Sequence, residues 1–381
     1  MRFFLHALPE GLPDNPEPGT TIMTDHAGEK KVSAVRGLVS NETGDVGHAE
    51  FELSPVGETF VRIRTEYSYL SAGTELRGIL HRRSGGGAGG EARTRMGYSL
   101  SGIVVATGGN VSHVRSGDRV VAVGEGAFHA EEVVVAKNLV VPLPGNVGMR
   151  TGAVSAMLCF ALEGLRKASP EFGENVLVLG AGMMGQVVAR LASASGCRVF
   201  VMEGNAFRAE RLPEAVKVVF PTEEGWRALK EQSAPYGVEK TFFCFGGDAT
   251  VAFENLKAVM SRSPDGILQG KVVFSGGAIL TTQMASANGN LQLLSSAKAG
   301  PGYRDPVYEA GGDYPAGYVK WDVRRNLRVL LDAVAAGGLE VDSLITHEYH
   351  FDEAAAAYEM LLKPNPDALA VVFRYGAEGV E

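Results

Sequence analysis

The hydrophobic and polar positions change rhythm along the chain. Before residue 145 the apolar residues alternate with polar ones over short runs. These predict strands at 31–36, 58–65, 101–107, 119–123 and 131–141, separated by Gly-Gly, Gly-Asp and Pro turns. From residue 150 longer segments take over. An Ala- and Leu-rich stretch over 151–168 predicts a helix. Apolar runs at 176–180, 198–203, 217–220, 241–247 and 271–277 then alternate with helix-like segments at 185–195, 205–212 and 249–260. Strands alternating with helices predict a parallel sheet covered on both faces. The tail mixes both characters. A helix is expected over 323–336, with Leu327, Leu330, Leu331 and Val334 on one face, then a strand at 344–351, a helix at 352–362 and a strand at 369–375.

Two segments stand outside this pattern. Residues 8–19 hold four prolines and predict an extended, mobile leader, and residues 84–90 (SGGGAGG) predict a flexible loop. Length and composition narrow the class. A chain of 381 residues with 45% hydrophobic and 21% charged residues is globular, with two or three domains at about 150 residues each. The net charge of −8 and the lack of a basic run argue against nucleic acid as a partner. No stretch approaches the roughly 18 apolar residues of a membrane span, and the N-terminus lacks the apolar core of a secretory signal, so a cytoplasmic protein is expected. Cys159, Cys197 and Cys244 are far apart and form no CxxC pair, which argues against a disulfide framework or a structural zinc site.

The sharpest local signal is VLVLGAGMMG, which places Gly180, Gly182 and Gly185 between a strand and a helix. Gly180 permits a tight turn, Gly182 lets backbone approach a pyrophosphate, and Gly185 lets the helix pack close to the strand. Met183 and Met184 open that helix. Glu203 ends the second strand, 21 residues after Gly182, where a carboxylate accepts ribose hydroxyls. The pattern predicts a dinucleotide site. Glu203 favours NAD over NADP, whereas Arg208 and Arg211 leave a 2′-phosphate open. Phe245-Gly246-Gly247 and Ser275-Gly276-Gly277 end later strands and are expected beside the nicotinamide.

With these features, and with the segments 97–144 and 339–361, the chain resembles the medium-chain dehydrogenase/reductase (alcohol dehydrogenase-like) superfamily over roughly residues 31–375. The resemblance implies an α/β fold: a GroES-like β-rich catalytic domain (1–156 and 298–381) with an inserted Rossmann dinucleotide-binding domain (157–297), the active site lying between them. It also implies a homodimer or homotetramer. Many relatives use a catalytic zinc. Here Ala72-Gly73-Thr74-Glu75 stands where the family has Cys-Gly-Thr-Asp, and Gly97-Tyr98-Ser99 where it has Gly-His-Glu. Only Cys159 matches a ligand position, so no zinc is expected, because a catalytic site needs about three protein ligands. The resemblance then places Tyr98 in the cleft as an acid/base group, with Thr74, Ser71 and Glu75 on the emptied wall and Tyr67 and Ser68 nearby. The unusual segment 300–326 offers Tyr303, Arg304 and Asp305 to a polyhydroxylated ligand, and His129, His347 and His350 are expected to be structural. The implied activity is zinc-independent hydride transfer between a nicotinamide and a carbonyl or secondary alcohol of a sugar, cyclitol or other polyol. The alternatives are reduction of a quinone or enone, and nicotinamide binding without turnover.

Overall fold

The computed structural model describes residues 34–85, 93–315, 317–364 and 366–376. The proline-rich 8–19 segment lies outside them, as does most of the glycine loop 84–90. Eight strands come first: β1 (Ala34–Asn41), β2 (Val46–Glu52), β3 (Phe60–Leu70), β4 (Arg93–Arg95), β5 (Ser99–Thr107), β6 (Arg119–Val123), β7 (Glu132–Ala136) and β8 (Val140–Pro142). Eight more follow: β9 (Asn175–Leu179), β10 (Arg198–Met202), β11 (Lys217–Val219), β12 (Lys240–Phe243), β13 (Gly247–Asp248), β14 (Lys271–Phe274), β15 (Ala278–Ile279) and β16 (Gln292–Ser295). The tail adds β17 (Ile345–His350) and β18 (Ala370–Arg374).

Strands β1, β2 and β4 form a small antiparallel sheet in the order β2-β1-β4. A seven-stranded, mostly antiparallel sheet runs β17-β18-β3-β5-β6-β8, with β7 also paired to β3. The tail strand β18 pairs with β3, so the chain returns to the sheet it left. The expected 131–141 strand is two elements, β7 and β8, broken by a 3-10 turn at Lys137–Leu139.

The middle of the chain builds a six-stranded parallel sheet in the order β11-β10-β9-β12-β14-β16. In sequence rank this is 3-2-1-4-5-6, the doubly wound order whose switch point lies between its first and fourth strands. All five residues of β9 are buried, as expected of a strand covered on both faces. The helix Ser155–Ala168 packs against the helices Met183–Ala194 and Val323–Ala335 and so ties the parallel sheet to the tail. The Val323–Ala335 helix buries Leu327, Leu330 and Leu331, leaves Val334 half-buried, and is capped by Asp322, which accepts from the Arg325 amide at 2.8 Å. No helix among the described residues is long and apolar enough to cross a membrane.

Gly180 closes β9 at φ +92°, the left-handed region that glycine occupies without cost. A Cβ on Gly185 would lie 1.8 Å from the Gly180 carbonyl oxygen, so helix and turn meet only because residue 185 lacks a side chain. Gly185→Ala is therefore expected to push the helix off the sheet and to cost about 1–3 kcal/mol, as other overpacked sites do. Urea unfolding checks this, and an unchanged midpoint would contradict the close approach.

Candidate active-site cleft

The carboxyl ends of β12, β14 and β16 open onto a cleft of about 1050 Å³. Phe245, Gly246, Ser275, Gly276 and Ser296 line it from the parallel sheet, joined by Met184 from the glycine-turn helix. The facing wall carries Ser71, Thr74 and Tyr98. Met157 and Phe160 close the apolar side. The structure thus brings together most of the residues that the sequence assigned to nicotinamide and to catalysis.

The glycine turn is shaped for a dinucleotide. Gly182 caps the helix Met183–Ala194, and a Cβ there would meet nothing within 4 Å, so the helix N-terminus is open to an anion. Glu203 is almost buried. Its carboxylate accepts from the Ala181 amide at 2.7 Å and from the Gly204 and Asn205 amides at 2.8 Å each. It locks the turn to the end of β10, and Oε2 retains a lone pair for a hydroxyl donor. Arg211 is engaged: its guanidinium lies 3.5 Å from the Phe207 ring centroid and donates to the Phe207 carbonyl. Arg208 keeps a buried Nε with no partner. Ser275 and Ser296 line the cleft, but their unpartnered hydroxyls are buried beneath it against Gly164 of the helix Ser155–Ala168, where a Cβ would lie 2.9 Å from Ser275 Oγ and 3.7 Å from Ser296 Oγ. The open cradle at Gly182 and the Glu203 acceptor together fit a bound dinucleotide.

Tyr98 follows Gly97 into β5. Its hydroxyl donates to Ser71 Oγ at 2.6 Å, beside the Thr74 hydroxyl. Burial pushes the phenol up to about 12, partly offset by the Ser71 hydrogen bond, so Tyr98 stays protonated and donating across the neutral range. Ser71 precedes the helix Ala72–Arg83. Its amide donates to Glu75 Oε1 at 2.7 Å, a carboxylate reaching back over the first turn of the helix.

Glu75 does not present its carboxylate to the nicotinamide cleft. Oε2 accepts from Tyr358 at 2.6 Å and lies 3.3 Å from His129 Nε2. His129 Nδ1 is 2.7 Å from Ser68 Oγ, which shares a hydrogen bond of 2.9 Å with the Tyr375 hydroxyl. All five side chains are buried. Glu75 is therefore a positioning residue rather than part of the emptied wall. Tyr67 is also displaced from its expected place: its hydroxyl turns to Glu348, near Arg374 and Arg150, and it lines no part of the cleft. Asp305 is consumed as a helix cap, accepting from the Val307 and Tyr308 amides. Tyr303 and Arg304 border a second cavity that shares Thr74 and Tyr98 with the cleft.

No family model matches the chain. Over 108 residues it is 35% identical to 2-dehydro-3-deoxy-L-galactonate 5-dehydrogenase from Pseudoalteromonas atlantica, a match spanning 28% of this chain and 31% of that protein. Over 300 residues it is 23% identical to D-xylulose reductase from Morganella morganii, covering 71% of this chain and 80% of the relative. An oxidoreductase/dehydrogenase of unknown specificity from Escherichia coli superposes with a TM-score of 0.71 at 16% identity, over 91% of this chain and 100% of that one. Galactitol-1-phosphate dehydrogenase from Escherichia coli gives 0.69 at 17% identity, over 89% and 99%.

The fold is that of the medium-chain dehydrogenases/reductases.

Within that fold, the positions the resemblance gives to zinc ligands hold Ala72, Tyr98 and Cys159. Ala72 and Tyr98 border the cleft but supply no thiolate or imidazole. Cys159 is fully buried in the core, and burial pushes its thiol far up. Among the described residues no three His, Cys, Asp or Glu side chains gather as a metal-ligand set. The residues present do not fit a catalytic zinc.

Three functional features escaped the sequence reading. The helix Ala72–Arg83 carries one wall of the cleft, and its signals were present: a Ser at the cap, Glu75 in the first turn and His81, Arg82 and Arg83 in the last. Arg77 on that helix reaches across the cleft, where a Cβ on Gly277 would lie 3.1 Å from its guanidinium. The His129–Glu75 contact had one trace, Gly97: it sits at φ +90°, and a Cβ there would lie 2.7 Å from the imidazole.

Glu75→Ala is expected to strip the Tyr358 hydroxyl, His129 Nε2 and the Ser71 amide of a shared acceptor and to lower stability by about 2–4 kcal/mol, with a smaller loss for Glu75→Gln. Urea denaturation measures both. A Glu75→Ala midpoint equal to that of the parent would contradict the role of the carboxylate.

Proposed function

We propose that the chain is a zinc-independent, NAD(P)-dependent oxidoreductase that moves hydride between a nicotinamide and a carbonyl or secondary alcohol of a polyol-type small molecule. The observation that carries this reading is the Tyr98–Ser71 hydroxyl pair facing the strand ends Phe245–Gly246 and Ser275–Gly276 across one cleft. In this reading the dinucleotide occupies residues 157–297 and the remainder forms the catalytic domain. Gly180, Gly182 and Gly185 shape the pyrophosphate cradle, Glu203 offers an acceptor to the ribose, and the strand ends at Phe245–Gly246 and Ser275–Gly276 lie beside the nicotinamide. NAD is favoured by the Glu203 carboxylate, with Arg208 the group that would take a 2′-phosphate if NADP were bound.

When bound, the nicotinamide supplies or accepts the hydride. The chain's own groups manage the oxygen. Tyr98 and Ser71 place two hydroxyls where a substrate oxygen gains charge during reduction. A phenol whose proton is held up to about 12 donates a hydrogen bond to that oxygen at neutral pH and gives up its proton as the oxygen becomes an alkoxide, a stronger base. Thr74 supplies a further hydroxyl, and Glu75 holds Ser71 in register. Met157, Phe160 and Met184 exclude water from the apolar side. The same apolar wall favours a second reading, reduction of a double bond conjugated to a carbonyl, which an enone assayed beside a polyol ketone separates.

The names of the relatives support the polyol reading: D-xylulose reductase and galactitol-1-phosphate dehydrogenase are named for such substrates. A small-molecule substrate, a cytoplasmic location and a homodimer or homotetramer complete the proposal.

Tyr98→Phe tests the mechanism. It keeps the ring against Phe160 (centroids 5.9 Å apart) and removes the donor. Turnover is expected to fall by about 10²–10⁴-fold, with NADH affinity unchanged. Because the phenol is protonated up to about pH 12, the reduction rate should show no loss from Tyr98 ionisation between pH 6 and 10. Full turnover in the variant would remove Tyr98 from the reaction.

A further inference from the structure

The helix Ala72–Arg83 has a cavity on each side. One side, with Arg77, Leu80 and His81, faces the nicotinamide cleft. The other, with Glu75, Gly78, Ile79 and Arg82, faces a cavity of about 820 Å³, a volume suited to a small metabolite. Thr74 and Tyr98 border both, so the two spaces meet at the proposed proton donor.

The second cavity is lined by four arginines: Arg82, Arg93, Arg95 and Arg304. In a chain of net charge −8, guanidinium groups readily find carboxylates, as Arg36, Arg62, Arg83, Arg150 and Arg374 do. Among the described residues, no ion pair joins Arg93, Arg95 or Arg304 to a carboxylate. Arg95 is instead held by two aromatic rings, 5.6 Å from the Phe51 centroid and 5.2 Å from that of Phe128. Arg304 adopts φ +58°, its own amide donates to Glu309 Oε1 at 2.7 Å, and its guanidinium lies 5.8 Å from the Tyr303 ring centroid. Among the described residues three acids also line the cavity. Glu75 is saturated by its buried partners, while Glu50 and Glu125 are exposed. Against those two carboxylates, the three guanidinium groups of Arg93, Arg95 and Arg304 leave this lining positive. Arginine forks match the geometry of carboxylate and phosphate oxygens.

Resting on the proposed hydride transfer at Tyr98, we infer that the substrate is anionic: a hydroxylated carbon chain that places its reacting carbon at Tyr98 and a carboxylate or phosphate monoester among Arg93, Arg95 and Arg304. The arginine cavity is the subsite that selects the charged end.

The test is calorimetric titration of the full chain, saturated with whichever of NAD or NADP it binds, with D-sorbitol, D-gluconate and D-sorbitol 6-phosphate. At least one anion should bind tenfold or more tightly than sorbitol, and raising the salt concentration should shrink the advantage. Which anion leads identifies the carboxylate or the phosphate as the group read. Arg93→Gln and Arg304→Gln should each cut anion affinity about threefold to tenfold while leaving cofactor affinity as it was, which also shows that the variants are folded. Equal or tighter binding of sorbitol, no measurable binding of either anion, or an advantage that survives in the double variant would overturn the inference. Failure to bind either nicotinamide cofactor would sink the oxidoreductase reading instead. In that case the same three titrations on the cofactor-free chain still decide whether the cavity prefers anions.

Discussion

The Glu75 carboxylate is the point from which one wall of the cleft is built. It takes hydrogen bonds from the Ser71 amide and the Tyr358 hydroxyl and sits against His129, which in turn holds Ser68 and Tyr375. Those partners come from distant parts of the chain: the end of β3, the loop before β7, the helix Ala354–Leu361 and the residue after β18. A buried carboxylate without donors would cost far more than any one of these bonds returns, so the cluster forms as a set or not at all. Once formed, it fixes the start of the helix Ala72–Arg83, and with it the Ser71 hydroxyl to which Tyr98 donates. The Ser71 and Tyr98 hydroxyls are thus positioned by an internal polar cluster.

The parallel sheet contributes the opposite wall by a different route. Its strand order creates a switch point, and the chain leaves the strands there through short glycine-containing turns. The helix Met183–Ala194 presents its N-terminus at Gly182, where a Cβ would meet nothing within 4 Å. The helix Ala72–Arg83 then stands as a partition, with the proposed cofactor on one side and the arginine-lined cavity on the other. Tyr98 borders both spaces, where the proposed reaction would bring hydride and proton together.

How much of this was legible depended on whether the signal was local. Strands β9, β10, β12 and β14 read directly as apolar runs because both their faces are buried. The edge strand β16 did not, since Gln292 and Ser295 at its ends are exposed. The polar helix Glu223–Ser233 buries only Leu229 and Ser233 and left no apolar stripe to find. The expected helix at 205–212 shrinks to Ala206–Ala209, capped by Asn205. Family position led to Tyr98 and Ser71 at the cleft, but not to the buried hydrogen bonds of Glu75, because its partners lie up to 283 positions away. Tyr67 was misplaced for a similar reason: proximity in sequence to Ser71 says nothing about which face of β3 meets the cleft. Arg93 and Arg95 carried no local meaning until β4 was paired with β1 and brought to the same cavity as Arg304.

The central claim is that this cleft holds a nicotinamide dinucleotide without the aid of a metal. The most direct measurement is a titration of purified, metal-analysed protein with NADH and with NADPH, followed by nicotinamide fluorescence. The account predicts saturable binding of NADH, tighter than that of NADPH, by protein containing no stoichiometric zinc. Binding of neither cofactor, or binding that appears only when zinc is added, would contradict it.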